Sequence, residues 1–226
     1  MNNLVGLLTG LSVLSVFFVF LSVVAGRISY KGRNEKQYAF RNTFPFEFNY
    51  NSKFIDNFYG NSLIILSVLL SGLFYIFFLT KVHKDGVLLS LGIFGLIASI
   101  GLGFLYFVPL KLIKAHLLLD AVFFMANIIV ASLIAVGGYK IRQEGGSLDF
   151  LIYFYIGLAL TAANLIIIFN PKLSTRLNAV KKVDENGQEY YERPRFIVLA
   201  FSEWLMLFSF YINLIVTLTL YISFTK

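Results

Sequence analysis

Six long apolar runs, nearly free of charged residues, constrain this chain more than any other feature. A helix needs about 20 apolar residues to cross a hydrocarbon core of about 30 Å, and each run is near or above that length. In lipid the backbone groups must bond within the protein, and continuous runs favour helices over the alternating strands of a barrel. The predicted spans are residues 4–26, 62–80, 87–110, 115–139, 147–169 and 196–224.

These spans predict an all-α, polytopic membrane helix bundle with about six transmembrane helices, formed as one domain over residues 1–226. The chain is 58% hydrophobic and only 14% charged, whereas soluble domains carry roughly one quarter charged residues. The first run is too long for the apolar region of a signal peptide and has no basic segment before it. We therefore interpret it as a retained membrane span.

Composition excludes several classes of site. The sequence has no cysteine, which excludes disulfides, thiolate nucleophiles and cysteine-based metal sites. Its two histidines, His83 and His116, are too few for a multi-histidine metal centre, so we expect no metal site and no cofactor. The net charge of +7 lies in the loops, where anionic lipid headgroups are the nearest partner. We expect membrane lipids rather than nucleic acid as partners, and the sequence gives no oligomeric state.

Loop lengths and charges suggest a topology. The two long loops, 27–61 and 170–195, fall on the same side of the membrane, and fourteen of the nineteen Lys and Arg residues lie on that side. The positive-inside rule places this side in the cytoplasm and both termini outside. Within the second long loop, Asn186-Gly187 lies between short alternating segments, which predicts a β-hairpin with a type I′ turn.

Two carboxylates, Asp120 and Glu203, lie well inside apolar spans. A charge at that depth costs on the order of 2–3 kcal/mol, so each is a candidate functional residue with a partner to be found. His116 and Asn127 fall on the same face of span four as Asp120. The topology puts these residues, Glu203 and Asn164 at comparable depth, roughly 5–12 Å below the helix ends.

This convergence predicts a shallow polar pocket formed by spans four, five and six and roofed by residues 41–48. A carboxylate–imidazole pair there could act as a general base or bind a polar headgroup. The alternative is that these residues only fix helix packing through hydrogen bonds. The candidate catalytic residues are His116, Asp120 and Glu203, and the candidate ligand-binding residues are His116, Asp120, Asn127, Asn164, Glu203 and Glu47.

Other features have structural interpretations. Trp204, near the start of span six, is placed as an interfacial anchor. Glycines in spans three and four favour close helix packing rather than phosphate binding. They are Gly95, Gly101, Gly103, Gly137 and Gly138.

The segment Phe201-Ser202-Glu203-Trp204-Leu205 and the residues that follow it resemble the Glu-Trp signature in the last helix of the DRAM/Sfk family. A long first loop with an aromatic-proline segment, a short second loop and His116 at the start of span four agree in order. The resemblance implies a six-helix membrane protein linked to lipid organisation or remodelling. It also implies cytosolic termini, with His116 and Glu203 toward the outer or lumenal side, which is opposite to the orientation that the charges predict.

Three functions are open at this point. We prefer a non-enzymatic lipid-interacting protein, because no nucleophile, base and oxyanion-binding set is recognisable. A small-solute transporter, or its substrate-binding membrane subunit, is the first alternative. A membrane-embedded lipid headgroup hydrolase or acyltransferase, with Glu203 or the His116–Asp120 pair as general base, is the second. All three place the chain as an integral protein of a cell membrane or endomembrane.

Overall fold

The computed structural model describes residues 2–34, 40–45, 58–82, 85–108, 112–145, 147–148, 150–173, 180–183, 188–192 and 194–224. Its long helices confirm the predicted all-α bundle. They are α1 (Asn2–Asn34), α2 (Phe58–Val82), α3 (Gly86–Phe107), α4 (Ile113–Gln143), α5 (Phe150–Ile168) and α6 (Val198–Phe224). Each contains a stretch long and apolar enough to cross a bilayer, so the chain is a multi-pass membrane protein.

Helix ends differ from the ends of the apolar runs for identifiable reasons. α1 continues past residue 26 to Asn34, and α4 continues past residue 139 to Gln143. At the membrane surface water satisfies the last backbone groups, so a helix can extend beyond the hydrocarbon. α3 instead ends at Phe107, and Val108 takes an extended conformation. Pro109 follows Val108, and a proline disfavours helical geometry in the residue before it.

The helices pack largely in the order of the chain. α1 to α5 contact one another in sequence, and α6 packs against α1, α4 and α5. The buried share is highest in α6 and lowest in α5. Small polar side chains join the helices inside the bundle: the Ser67 hydroxyl on α2 donates to the Ser15 carbonyl on α1 at 2.6 Å and lies 2.7 Å from the Tyr211 hydroxyl on α6. The last helix in the sequence is therefore the central one.

The second long loop contains the predicted hairpin, with a different register. Strands β1 (Val180–Val183) and β2 (Glu189–Glu192) pair antiparallel. A two-residue turn at Asn186-Gly187 would pair Val183 with Tyr190. Val183 instead pairs with Glu189, so the predicted type I′ register is wrong. Residues 184–187 lie outside the described part of the chain.

Candidate functional site

Three ionisable side chains meet near the starts of α4 and α6. His116 Nε2 lies 3.7 Å from an Asp120 carboxylate oxygen and 3.6 Å from a Glu203 carboxylate oxygen. His116 and Asp120 are one helical turn apart on α4, which places both on the same face. All three side chains are buried. We call His116, Asp120 and Glu203 the polar cluster.

The imidazole of the polar cluster is oriented by the end of α3. Since Pro109 ends the helix, Val108 is extended, and its carbonyl oxygen lies 3.1 Å from His116 Nδ1. A carbonyl can only accept, so Nδ1 carries the proton in this bond. In a neutral imidazole Nε2 then presents its lone pair, and that nitrogen faces the two carboxylates. The ring can accept a proton or bind a cation on this side.

Part of the first long loop lies against the start of α6. The Trp204 indole N–H donates to the Thr43 carbonyl at 2.7 Å, and the Ile197 amide donates to the Arg41 carbonyl at 2.7 Å. Phe44 is fully buried. The segment 40–45 thus packs against the start of α6. Glu47 lies outside the described residues.

The prediction that Trp204 is an interfacial anchor is wrong. An interfacial anchor exposes its ring to the headgroups, whereas Trp204 is 1% exposed. Its ring packs edge to face on Phe40, with centroids 4.7 Å apart. Sequence position alone could not show this, because the residue that accepts the indole hydrogen bond comes from a loop 161 positions away.

The predicted amides lie outside the polar cluster. Asn127 Nδ2 donates to the Met206 carbonyl at 3.3 Å, and Asn213 Nδ2 donates to Asn127 Oδ1 at 2.8 Å. Asn164 Nδ2 donates to the Ser209 hydroxyl at 2.9 Å. These bonds join α6 to α4 and α5 and match the packing interpretation. Sequence reasoning missed Asn213, although an amide in the middle of an apolar span is the signal that identified Asn127.

An apolar groove lies between α2 and α3. Its volume is about 490 Å³. Side chains on its walls such as Leu69 and Phe104 are more than half exposed on the bundle surface, where lipid lies. The other walls include Ile64, Val68, Gly72, Leu96, Ser99, Gly103 and Tyr106. We call this the α2–α3 groove.

Tyr106 lines the groove near the end of α3. Val108, two residues on, holds the cluster's imidazole. The end of α3 therefore borders an apolar surface on one side and the ionisable residues on the other.

The polar cluster has the donor atoms of a cation site. One nitrogen of His116 and one oxygen each of Asp120 and Glu203 all lie within 4.8 Å of one another. No metal site was expected from the sequence, because two histidines are too few for a multi-histidine metal centre. One imidazole and two carboxylates are also a ligand set that divalent metals accept.

Comparisons with protein-family models, with curated proteins and with solved structures find no match to this chain. The resemblance to the DRAM/Sfk family therefore stays a prediction.

Proposed function

We propose that the protein binds a membrane lipid, with an acyl chain in the α2–α3 groove and the polar end of the lipid toward the polar cluster. The observation that carries this proposal is the end of α3, where Tyr106 lines the groove and Val108, two residues on, bonds the His116 imidazole. The groove volume of about 490 Å³ lies within the usual range of ligand sites, and its walls are apolar. A lipid is the ligand that joins an apolar chain to a polar end at this depth.

The resemblance of residues 201–210 to the DRAM/Sfk family supports the same proposal. That family includes relatives that remodel GPI lipids, and the resembling segment contains Glu203 of the polar cluster. The segment 40–45 adds a further argument. It is joined to the start of α6 through the carbonyls of Thr43 and Arg41, so it lies at the end of the bundle that holds the polar cluster.

The groove is tested by photolabelling. The protein in lipid nanodiscs is irradiated with a phospholipid that carries a diazirine in its acyl chain, and labelled peptides are mapped by mass spectrometry. We expect labels on α2 and α3 in the wild type and a several-fold loss in Gly72→Leu. Gly72 lines the groove, and a Cβ there meets the Ser99 hydroxyl at 3.6 Å, an ordinary contact, so we expect a larger side chain to reduce the space in the groove.

Gly6→Leu is the matched control, because a Cβ at Gly6 on α1 meets no atom within 4 Å. It adds the same side chain to the lipid-facing surface away from the groove. The proposal is wrong if Gly72→Leu and Gly6→Leu are labelled equally on α2 and α3. Equal melting temperatures of the two variants establish that any difference comes from the groove.

A lipid headgroup hydrolase or acyltransferase is the second candidate. The contact of His116 with Glu203 and Asp120 favours it, because an imidazole between carboxylates is a common general base. Under this hypothesis Glu203→Gln abolishes turnover of a radiolabelled lipid while the protein stays folded. Glu144→Gln, which changes an exposed carboxylate, retains turnover. Normal turnover in Glu203→Gln removes the candidate.

The transporter alternative has less support. Many transporters bind their substrates where helices are interrupted near the middle of the membrane. Each of the six described helices is continuous, and the polar cluster lies near the starts of α4 and α6. Saturable uptake of a soluble solute into vesicles that contain the protein would favour the transporter instead.

A further inference from the structure

We propose that the polar cluster binds a divalent transition-metal ion, with His116 Nε2 and one carboxylate oxygen each of Asp120 and Glu203 as ligands, and that Zn²⁺ is the best fit. A tetrahedral Zn²⁺ with bonds of about 2.0–2.1 Å places its ligand atoms about 3.3 Å apart. The two imidazole–carboxylate distances are 3.6 and 3.7 Å. These two distances need shifts of a few tenths of an ångström, and all three donor atoms lie within 4.8 Å of one another.

The imidazole already has the orientation of a metal ligand. Metal-binding histidines usually donate their second ring N–H to a carbonyl or carboxylate, which fixes the tautomer and directs the lone pair at the ion. Here His116 Nδ1 donates to the Val108 carbonyl. That carbonyl points to the ring because Pro109 ends α3 at this place. A histidine that only fixed helix packing would not need its Nε2 directed at two carboxylates.

Asp120 supplies an independent observation. It is 4% exposed, and no N–H group of the described residues donates to either of its carboxylate oxygens; its neighbours are the His116 imidazole and the Glu203 carboxylate. Buried carboxylates normally have several such bonds, because removal from water is costly. A cation between Asp120, His116 and Glu203 would satisfy these oxygens directly.

The charges of the donor set favour a divalent ion. With both carboxylates ionised and the imidazole neutral, the donor set carries a charge of −2, which is unfavourable at this depth in a membrane. A divalent cation makes the site electroneutral. Sodium or potassium would leave a net charge, and Mg²⁺ prefers an octahedral shell of oxygens over a site with an imidazole.

Three protein ligands leave one position of a tetrahedral ion open. Structural zinc sites use four protein ligands, whereas catalytic sites keep a position for water or substrate. The open position would accept an oxygen of water or of a lipid headgroup. The metal proposal is independent of the proposed lipid function, because metal binding is measured without added lipid ligand.

The test uses the full chain in detergent, stripped with EDTA and dialysed. Zinc retained after incubation is measured by mass spectrometry, and Co²⁺ is titrated while visible absorption is recorded. We expect about one zinc per chain and the intense absorption of tetrahedral Co²⁺. His116→Gln, Asp120→Asn and Glu203→Gln should each weaken binding at least about ten-fold.

Two variants are matched controls, since each makes one of these substitutions elsewhere in the chain. His83→Gln removes the other histidine, and Glu144→Gln removes an exposed carboxylate; both should bind like the wild type. Zn²⁺ should also raise the melting temperature of the wild type but not of Glu203→Gln, because a ligand of the native state stabilises it. This second measurement separates lost binding from lost folding.

Two outcomes overturn the proposal. One is that the wild type shows no saturable zinc binding and no tetrahedral Co²⁺ spectrum. The other is that Glu203→Gln and Asp120→Asn bind zinc as tightly as the wild type, which indicates an adventitious ion only. Either outcome leaves the photolabelling of the α2–α3 groove untouched, so failure of the metal site is distinguishable from failure of the lipid proposal.

Discussion

Asp85 joins the ends of two helices on the side of the bundle opposite the polar cluster. Its carboxylate accepts the backbone N–H groups of Val87 and Leu88, each at 2.9 Å, and so caps the start of α3. The Lys140 ammonium near the end of α4 donates to the same carboxylate at 3.0 Å. Partial burial by itself raises the pKa of Asp85, but the bonds from Leu88, Lys140 and Val87 together lower it below its ordinary value.

This lowered pKa predicts a stability that depends on pH. A carboxylate whose folded pKa lies below its unfolded value stabilises the fold at pH values above the unfolded pKa, here about 3.8, and loses that contribution as the pH falls through the folded pKa. Asp85→Asn keeps a capping oxygen but removes the charge. The variant should therefore be less stable than the wild type at neutral pH by up to about 1 kcal/mol, because the Lys140 side chain is 40% exposed.

Thermal unfolding in detergent between pH 7 and pH 3 measures this difference, which should shrink as the pH falls below about 4. Glu144→Gln is the control, since Glu144 lies 3.8 Å from the same ammonium but is 60% exposed. A difference between Asp85→Asn and wild type that stays constant over the whole range would contradict the prediction.

At the scale of single residues, the sequence showed which buried charges are energetically costly better than it showed which side chains meet. Asp120 and Glu203 were recognisable because a carboxylate inside an apolar span is expensive, and they do lie in one cluster with His116. Asn127 was grouped with them by helix face and depth, and Asn164 by depth alone. Their partners are Met206, Asn213 and Ser209 on other helices, and neither depth nor the face of one helix indicates which residue of a neighbouring helix is met.

At the scale of helix pairs, glycines let α4 and α5 approach each other closely. A Cβ added at Gly157 on α5 would collide with the α4 backbone at Ala131 and Ala135. A Cβ at Gly138 on α4 would lie 2.7 Å from the Phe150 carbonyl on α5. Small residues of this kind let membrane helices pack backbone to backbone. Since α5 has the lowest buried share, its attachment depends on this contact.

Gly157→Ala should therefore destabilise the bundle by about 1–3 kcal/mol, because backbone atoms rather than flexible side chains must move. The matched control is Gly101→Ala on α3, where the new Cβ would lie 3.5 Å from Phe123, an ordinary contact. Thermal unfolding in detergent should show a lower midpoint for Gly157→Ala only. A proteolytic cut that appears first at the ends of α5 would locate the weakened element, and equal midpoints for the two variants would argue against the close packing.

Close helix packing at glycines was predictable, but only some of the glycines at which it occurs were predicted. Gly95 and Gly138 were expected to allow close packing, and each lies where a Cβ would collide with a neighbour, whereas Gly101 has ordinary contacts. Gly157 was not singled out, because one glycine in an apolar helix does not indicate which neighbour it faces. The hairpin shows the same limit: Asn-Gly marks a turn, but the strand register depends on residues on both sides of it.

For the whole molecule, the lengths of the apolar runs predicted six helices but not which helix lies at the centre of the bundle. Six apolar runs predict six helices because lipid permits few other backbone structures. No run indicated that α6 would be central, since its apolar residues look the same whether they face lipid or protein. Residues 41–48 were predicted to roof the pocket, but the hydrogen bond from Trp204 to Thr43 that joins this segment to α6 was not foreseen.

Orientation is a property of the whole molecule on which the two sequence arguments disagree. The charge bias places loops 27–61 and 170–195 in the cytoplasm, and the family resemblance places them on the opposite side. The wild-type chain has no cysteine, so single introduced cysteines report their side without background from the protein. Gln188 and Ser147 are exposed residues in the fifth and fourth loops, which lie on opposite sides of a six-span bundle.

We expect the orientation that the charge bias predicts, with the long loops in the cytoplasm, because fourteen of nineteen basic residues lie on the side of the long loops. In sealed vesicles with the outer face exposed, an impermeant maleimide should then label Ser147→Cys at once and Gln188→Cys only after detergent is added. Each variant is the other's control for reactivity and sealing. The reverse pattern would put the polar cluster beneath the outer or lumenal surface. The DRAM/Sfk resemblance implies that side.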